Sequence, residues 1–273
     1  MMIDSHVHLS SFQPGEMERQ IKIAKDLGTK LFVEVAAQAE KAPGVVALAN
    51  SRDDFYCGVA VHPNLVETYN PAKDIALFRE LIKDNKRIVC VGECGLDYSF
   101  KPTPPERAEN QRQLFRDMIR LAREVKLPLN MHTDRLSAGD MLKILREEKA
   151  YEVGGMIHNF GGNVEQALGY LDLGFYISVS VLIQHPLADR LRKVFRDTSV
   201  GQMVMDSDAP GARLERVGDS KDPYPYDMDK FSEPRMLRYI CDKLAEVKET
   251  DVEYMEIATS LNATRLFNLP KLV

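Results

Sequence analysis

Eight short apolar runs rich in β-branched residues recur along the chain. They are Met2–His6, Lys30–Val35, Phe55–Val61, Arg87–Glu93, Leu127–His132, Glu152–His158, Phe175–Val181 and Gln202–Ser207. Most are almost continuously apolar, the pattern of parallel strands buried on both faces. Parallel neighbours cannot be joined by a hairpin, so each pair needs a crossover, usually a helix. Segments with helical apolar spacing lie between and after the runs: Glu16–Leu27, Ala72–Asp84, Glu106–Val125, Leu136–Glu148, Val164–Leu173, Leu187–Phe195, Pro234–Val247 and Val252–Leu261. Strand–helix alternation at this length, 273 residues, predicts an α/β fold, a (β/α)8 TIM barrel, as one domain spanning 1–273. The competing doubly wound open sheet is disfavoured because no Gly-x-Gly-x-x-Gly follows the first run.

Composition narrows the function classes. Hydrophobic residues make up 44% and charged residues 28%, enough apolar material for a substantial core. No apolar run reaches the roughly 18 residues a membrane span requires, which predicts no membrane association. The chain opens without a basic, apolar leader, and its four cysteines, Cys57, Cys90, Cys94 and Cys241, show no Cys-x-x-Cys pair. Reduced core thiols and a cytoplasmic location are expected. A net charge of −5 argues against strong non-specific nucleic-acid binding. It leaves room for an enzyme that meets phosphate through a metal and a few local Arg or Lys. No obligate protein partner is indicated.

Barrel active sites sit at the carboxyl ends of the strands, and the metal-capable side chains cluster there. His6 and His8 end the first run, His62 follows the third, and Glu93 ends the fourth. His132 ends the fifth, His158 the sixth, and Asp206 and Asp208 the eighth. Residues two apart on a strand share a face, so His6 and His8 can grip one ion together. A hydrolase at neutral pH must ionise water, and a pair of divalent ions does this while clamping attacking and leaving oxygens. The mixed N/O set predicts one or two divalent ions. Zn²⁺, Mn²⁺, Co²⁺ or Fe²⁺ suit it, and Mg²⁺ fits less well. Cysteine is absent from the set, as in open catalytic sites.

Neighbouring polar residues admit plainer roles. His62 is read as a substrate contact, a support for the ligands, or a packed strand-end residue. Of Asp206 and Asp208, one can ligate while the other supports or caps. Asp97 and Asp134 are expected in loop or helix-capping roles, and His185 in a structural one. Arg112, Arg116, Arg120 and Arg123 are expected on a solvated helix face rather than against a polyanion. The irregular Ala209–Lys230 segment either lines a substrate cleft or is a plain solvated loop.

Several segments carry a family resemblance over nearly the whole chain. They are Ile3-Asp4-Ser5-His6-Val7-His8-Leu9, Val61-His62-Pro63, Val91-Gly92-Glu93-Cys94-Gly95-Leu96-Asp97-Tyr98, Met131-His132, Ile157-His158-Asn159-Phe160-Gly161-Gly162, Asp206-Ser207-Asp208-Ala209-Pro210 and the closing stretch from Asn262 to Phe267. Together they resemble the TatD family of metal-dependent hydrolases, related to the amidohydrolase-type barrels. The resemblance implies that His6, His8 and Asp208 hold one ion, that His132 and His158 hold another, and that Glu93 bridges them. Asp208 would also be the general base. Several members of that family are deoxyribonucleases that trim DNA from an end, which makes DNA the first substrate expected and His62 and Arg135 its contacts.

The chain departs from the family pattern in the segments that read substrate. Thr133-Asp134 follow His132 where Ser-Arg is common, with Arg135 one place later. An Asn-x-Pro-type segment is represented only by Phe231-Ser232-Glu233-Pro234, and Ser178-Val179-Ser180-Val181 lacks a common glycine. A hydrolase of small-molecule amides, esters or lactones is therefore the second expectation, and an inactive metal-binding relative the third.

Overall fold

A computed structural model of the chain describes residues 1–99, 102–211 and 232–270. Eight strands form one parallel sheet in the order of the sequence. They are β1 (Met2–Val7), β2 (Thr29–Ala36), β3 (Phe55–Val59), β4 (Ile88–Leu96), β5 (Leu129–Thr133), β6 (Gly155–Ile157), β7 (Tyr176–Val179) and β8 (Met203–Met205). Backbone hydrogen bonds close the seam just past β8: Asp208 N donates to His6 O at 3.1 Å, and His8 N to Ala209 O at 2.7 Å. The same seam brings Asp208 beside His6 and His8. The expected barrel architecture is present.

One helix follows each of the first seven strands: α1 (Pro14–Asp26), α2 (Ala42–Asn50), α3 (Pro71–Ile82), α4 (Pro105–Val125), α5 (Ala138–Glu147), α6 (Val164–Leu171) and α7 (Asp189–Asp197). The chain after β8 carries α8 (Met236–Val247) and α9 (Val252–Phe267). The apolar spacing of the sequence did not reveal α2. Its buried face, Ala42, Val45, Val46 and Ala49, has helical spacing, but its outer face presents Pro43, Gly44 and Ala47 rather than charges. Without polar contrast the period is invisible. The eight helical segments read from sequence therefore include two after the last strand and none between β2 and β3.

Strand limits differ in instructive ways. Glu152 lies in a 3-10 turn (Ala150–Glu152), so β6 starts only at Gly155. β4 continues past Glu93 to Leu96, because Gly92 and Gly95 let it run tightly against β5. A Cβ at Gly92 would lie 2.5 Å from Asn130 O, and one at Gly95, where φ is +141°, would lie 2.0 Å from His132 O. Only glycine permits that approach, and it sets Glu93 beside His132.

The arginines of α4 face α5 and the turn after it. Arg112 pairs with Glu109 and Asp140, Arg116 with Glu147 and Glu148, Arg120 with Glu148, and Arg123 with Glu152. They form an ion-pair ladder between elements, not a bare solvated face. Cys57, Cys90, Cys94 and Cys241 are buried and unpaired, as expected. No helix among the described residues is long and apolar enough to cross a membrane. Of the Ala209–Lys230 segment, residues 212–230 lie outside the described residues, as does Phe231.

Candidate metal centre

His6 sits at the end of β1 and His8 just beyond it, with their Nε2 atoms 3.1 Å apart. Glu93 Oε2 approaches them at 3.7 and 3.4 Å, and Asp208 Oδ1 lies 3.8 Å from each. Donors of a tetrahedral shell with bonds of about 2.1 Å stand roughly 3.4 Å apart, so the His6, His8 and Glu93 atoms are spaced as one ion requires, while Asp208 groups with His6 and also with His158.

The other oxygen of Glu93 serves a second group. Oε1 lies 2.8 Å from His158 Nε2, 3.1 Å from His132 Nδ1 and 3.2 Å from His62 Nε2. His132 Nδ1 and His158 Nε2 are 3.1 Å apart. Glu93 is 4% exposed and is the sole carboxylate whose two oxygens face different imidazole sets among the described residues.

Hydrogen bonds behind the rings set the tautomers. His6 Nδ1 meets Asn130 Oδ1 at 2.9 Å, and the Asn130 amide is oriented by Nδ2 donating to Ser5 O at 3.1 Å. His8 Nδ1 meets Val35 O at 2.8 Å. Both partners accept, so both Nδ1 atoms carry the proton in the neutral rings. In the neutral rings two Nε2 lone pairs face each other at 3.1 Å, an arrangement that a shared metal ion, or a proton on His8, reconciles. His132 behaves alike with its ring reversed: Nε2 meets Asp97 Oδ2 at 3.2 Å, leaving the Nδ1 lone pair for the centre. His158 Nδ1 is buried with no hydrogen-bond partner among the described residues. The donor set therefore fits divalent ions on structural grounds.

His62 is different. Its Nδ1 accepts the Asn64 backbone N–H at 3.1 Å, so in the neutral ring the proton is on Nε2. Burial, foremost, lowers its pKa and keeps it neutral. It presents an N–H to Glu93 Oε1 rather than a lone pair to an ion.

Charge follows from the same contacts. Burial works against the Glu93 carboxylate, but His62, His158 and His132 hold its pKa well below the usual range. Burial, with His158 beside it, lowers His6 strongly. Burial also opposes protonation of His8 and His132, yet the carboxylates beside them raise the pKa of His8 to about 9 and of His132 to about 10. Burial raises Asp208, and it raises Asp206 to about 6.

The residues around the centre divide clearly. Asp206 lies behind it, accepting from Asn159 N at 3.0 Å, while the Asn159 side chain donates to Asp208 Oδ2 at 3.1 Å. Asp134 caps the turn into α5, accepting from Ser137 N at 2.7 Å, as anticipated. His185 is structural: its Nδ1 accepts from Leu187 N at 3.2 Å. Asp97 takes the expected loop role, accepting from Ser99 N at 3.0 Å, and adds a second one that the sequence reading lacked. It is 4% exposed, accepts from Asn64 Nδ2 at 2.6 Å as well as meeting His132, and caps no helix. Asp97 follows β4 while His132 lies on the neighbouring β5, and no periodicity ties two residues 35 apart, which is why the sequence hid it. Asn130, also missed, carried a signal: it alternates with His132 on one strand. Arg135 stands outside the cluster, with Nε donating to Gly161 O at 3.2 Å.

The profile of the family described as TatD related DNase matches residues 3–268. The chain belongs to the TatD family. Among TatD-like relatives, the metal-dependent hydrolase YcfH of Escherichia coli (strain K12) is 30% identical over 273 residues, covering 98% of this chain and 96% of its own. A Mus musculus protein, "Putative deoxyribonuclease TATDN3", is 27% identical over 285 residues, covering 99% of this chain and 89% of its own. The crystal structure of YjjV, a TatD homologue from Escherichia coli K12, superposes with a TM-score of 0.87 at 25% identity, covering 98% of both chains. Family membership and the donor groups together make this TatD-family chain a metal-dependent hydrolase.

Proposed function

We propose that the chain is a deoxyribonuclease that cleaves phosphodiester bonds with metal-activated water. The observation that carries this reading is the division of Glu93, with one oxygen on the His6–His8–Asp208 group and the other on the His132–His158 group. Donor sets that share a carboxylate hold cations close together, as in-line displacement at phosphorus requires. The DNase description of the family supports the same choice.

In this reading His6, His8 and Asp208 hold one divalent ion, His132 and His158 the other, and Glu93 both; Zn²⁺, Mn²⁺, Co²⁺ or Fe²⁺ suit the donors. Bound ions would supply Lewis acidity toward the phosphoryl oxygen and acidify the attacking water. Asp208 accepts the proton of that water. Burial favours its protonated form, and Asn159 steadies its second oxygen. His62 offers its Nε2–H to a substrate oxygen, and Arg135 meets a strand phosphate. We further assign residues 1–273 to one domain acting in the cytoplasm without an obligate protein partner; the free cysteines accord with a reducing compartment.

Metal-loaded protein given end-labelled single-stranded DNA should shorten it, and a panel of amides, esters and lactones should be turned over poorly. The reverse result would favour the small-molecule reading. One observation favours that alternative: the arginines along α4 are engaged with acidic partners, so they add no open basic track for a polyanion.

A further inference from the structure

A pocket of about 490 Å³ opens beside the second donor group, between the loops that follow β5, β6 and β7. Its lining begins at Thr133 and Asn159, the residues directly after His132 and His158. We infer that it receives the nucleobase of a nucleotide flanking the scissile bond. The inference deepens the phosphodiester reading and rests on it.

The volume falls within the range of small-molecule sites, roughly 300–1,000 Å³. Its walls are largely apolar: Leu136, Leu182 and the rings of Phe160 and Tyr170. Gly162 keeps them open. A Cβ there would stand 2.7 Å from both Phe160 Cζ and Gln166 Oε1. Tyr170 is fully buried, and its hydroxyl, beside the Thr133 side chain, meets no partner in good hydrogen-bond geometry among the described residues. A buried hydroxyl left unpaired is costly, and an occupant offering a carbonyl or ring nitrogen would relieve it.

Charge places the rest of the ligand. Asp134 lines the pocket, and its carboxylate is spent on Ser137 N and Tyr98 N, so the interior repels phosphate. Arg135 is exposed, and its guanidinium donates one hydrogen bond, from Nε to Gly161 O. A neutral, flat, hydrogen-bonding group inside and an anion at the mouth describe a nucleobase and its strand phosphate. Base–aromatic stacking is sequence-tolerant, so modest base preference is expected.

The test compares metal-loaded wild type, Leu182→Phe and Tyr170→Phe on two labelled oligonucleotides, one with normal bases and one abasic at the positions flanking the cleaved bond. Wild type should cleave the base-bearing strand with kcat/KM about tenfold higher or more, mainly through KM, as the loss of one stacked base implies. Leu182→Phe narrows the pocket and should erase that preference at unchanged metal content. Tyr170→Phe keeps the ring and should reduce the preference several-fold. Equal rates for wild type on both strands, or a full preference in both variants, would overturn the base pocket while leaving the nuclease reading intact. No cleavage of either strand by wild type would overturn the nuclease reading and this inference with it.

Discussion

Asp97 Oδ2 lies 3.2 Å from His132 Nε2, and this contact decides which face of the imidazole the centre receives. The Asp97 carboxylate accepts from Asn64 Nδ2, from the His132 ring, and from the backbone and hydroxyl of Ser99. Asp97→Asn must turn an NH₂ toward one of these donors. Metal affinity at the His132–His158 group should fall about 10–100-fold, the usual cost of losing such an orienting partner. Titration with Zn²⁺ or Mn²⁺ would show one tight site retained and one weakened. Unchanged affinity at both sites would mean that Asp97 does not set the tautomer.

His62 supplies a second prediction. Because its Nδ1 accepts from Asn64, it should act as a donor to substrate, not as a ligand. His62→Phe should retain full metal content and lose about 10²-fold in turnover, the lower end for a positioned proton donor. Loss of one equivalent of metal on elemental analysis would instead make it a ligand.

Metal uptake should depend on pH. In the metal-free protein the carboxylates beside His8 and His132 keep their pKa values near 9 and 10, so both rings are protonated at neutrality. An ion must displace those protons. Apparent affinity should therefore rise as pH increases toward 9, by up to about tenfold per unit for each proton displaced. These raised values also contribute stability to the metal-free fold that is complete below about 6.5 and is lost as pH passes through the folded values. Calorimetry in buffers of different ionisation enthalpy would count the protons. Affinity that is flat or falls with rising pH would contradict the assignment.

The α4 arginines should matter for docking of helices rather than for substrate. Arg116 and Arg120 both reach Glu148, which is largely shielded. Replacing both with Ala should cost about 1 kcal/mol, less at high salt, because partly exposed pairs contribute only about 0.2–1 kcal/mol each. KM for an oligonucleotide should not change. A several-fold rise in KM with unaltered melting would show that the ladder touches the polyanion.

The barrel was legible because buried parallel strands carry near-continuous apolar runs, as Val33 and Val91 do in β2 and β4. The donor residues were legible because a barrel gathers its strand ends, so His6, His132 and Asp208 group by their positions at those ends alone. What escaped was whatever depends on side-chain direction. The reversal of the His132 ring and the burial of Asp97 come from three-dimensional approach, and neither leaves a period in the sequence; the bridging place of Glu93 was implied by the family resemblance alone. Helix α2 escaped for a different reason: its solvent face is Pro, Gly and Ala, and the buried face had nothing to contrast with.

The shared use of Glu93 is tested most directly by anomalous diffraction from crystals grown with Mn²⁺ or Zn²⁺. Two ions are expected, one contacted by His6, His8, Asp208 and Glu93 Oε2, the other by His158, His132 through Nδ1, and Glu93 Oε1. Ions bound away from Glu93, or both on a single one of its oxygens, would contradict the account.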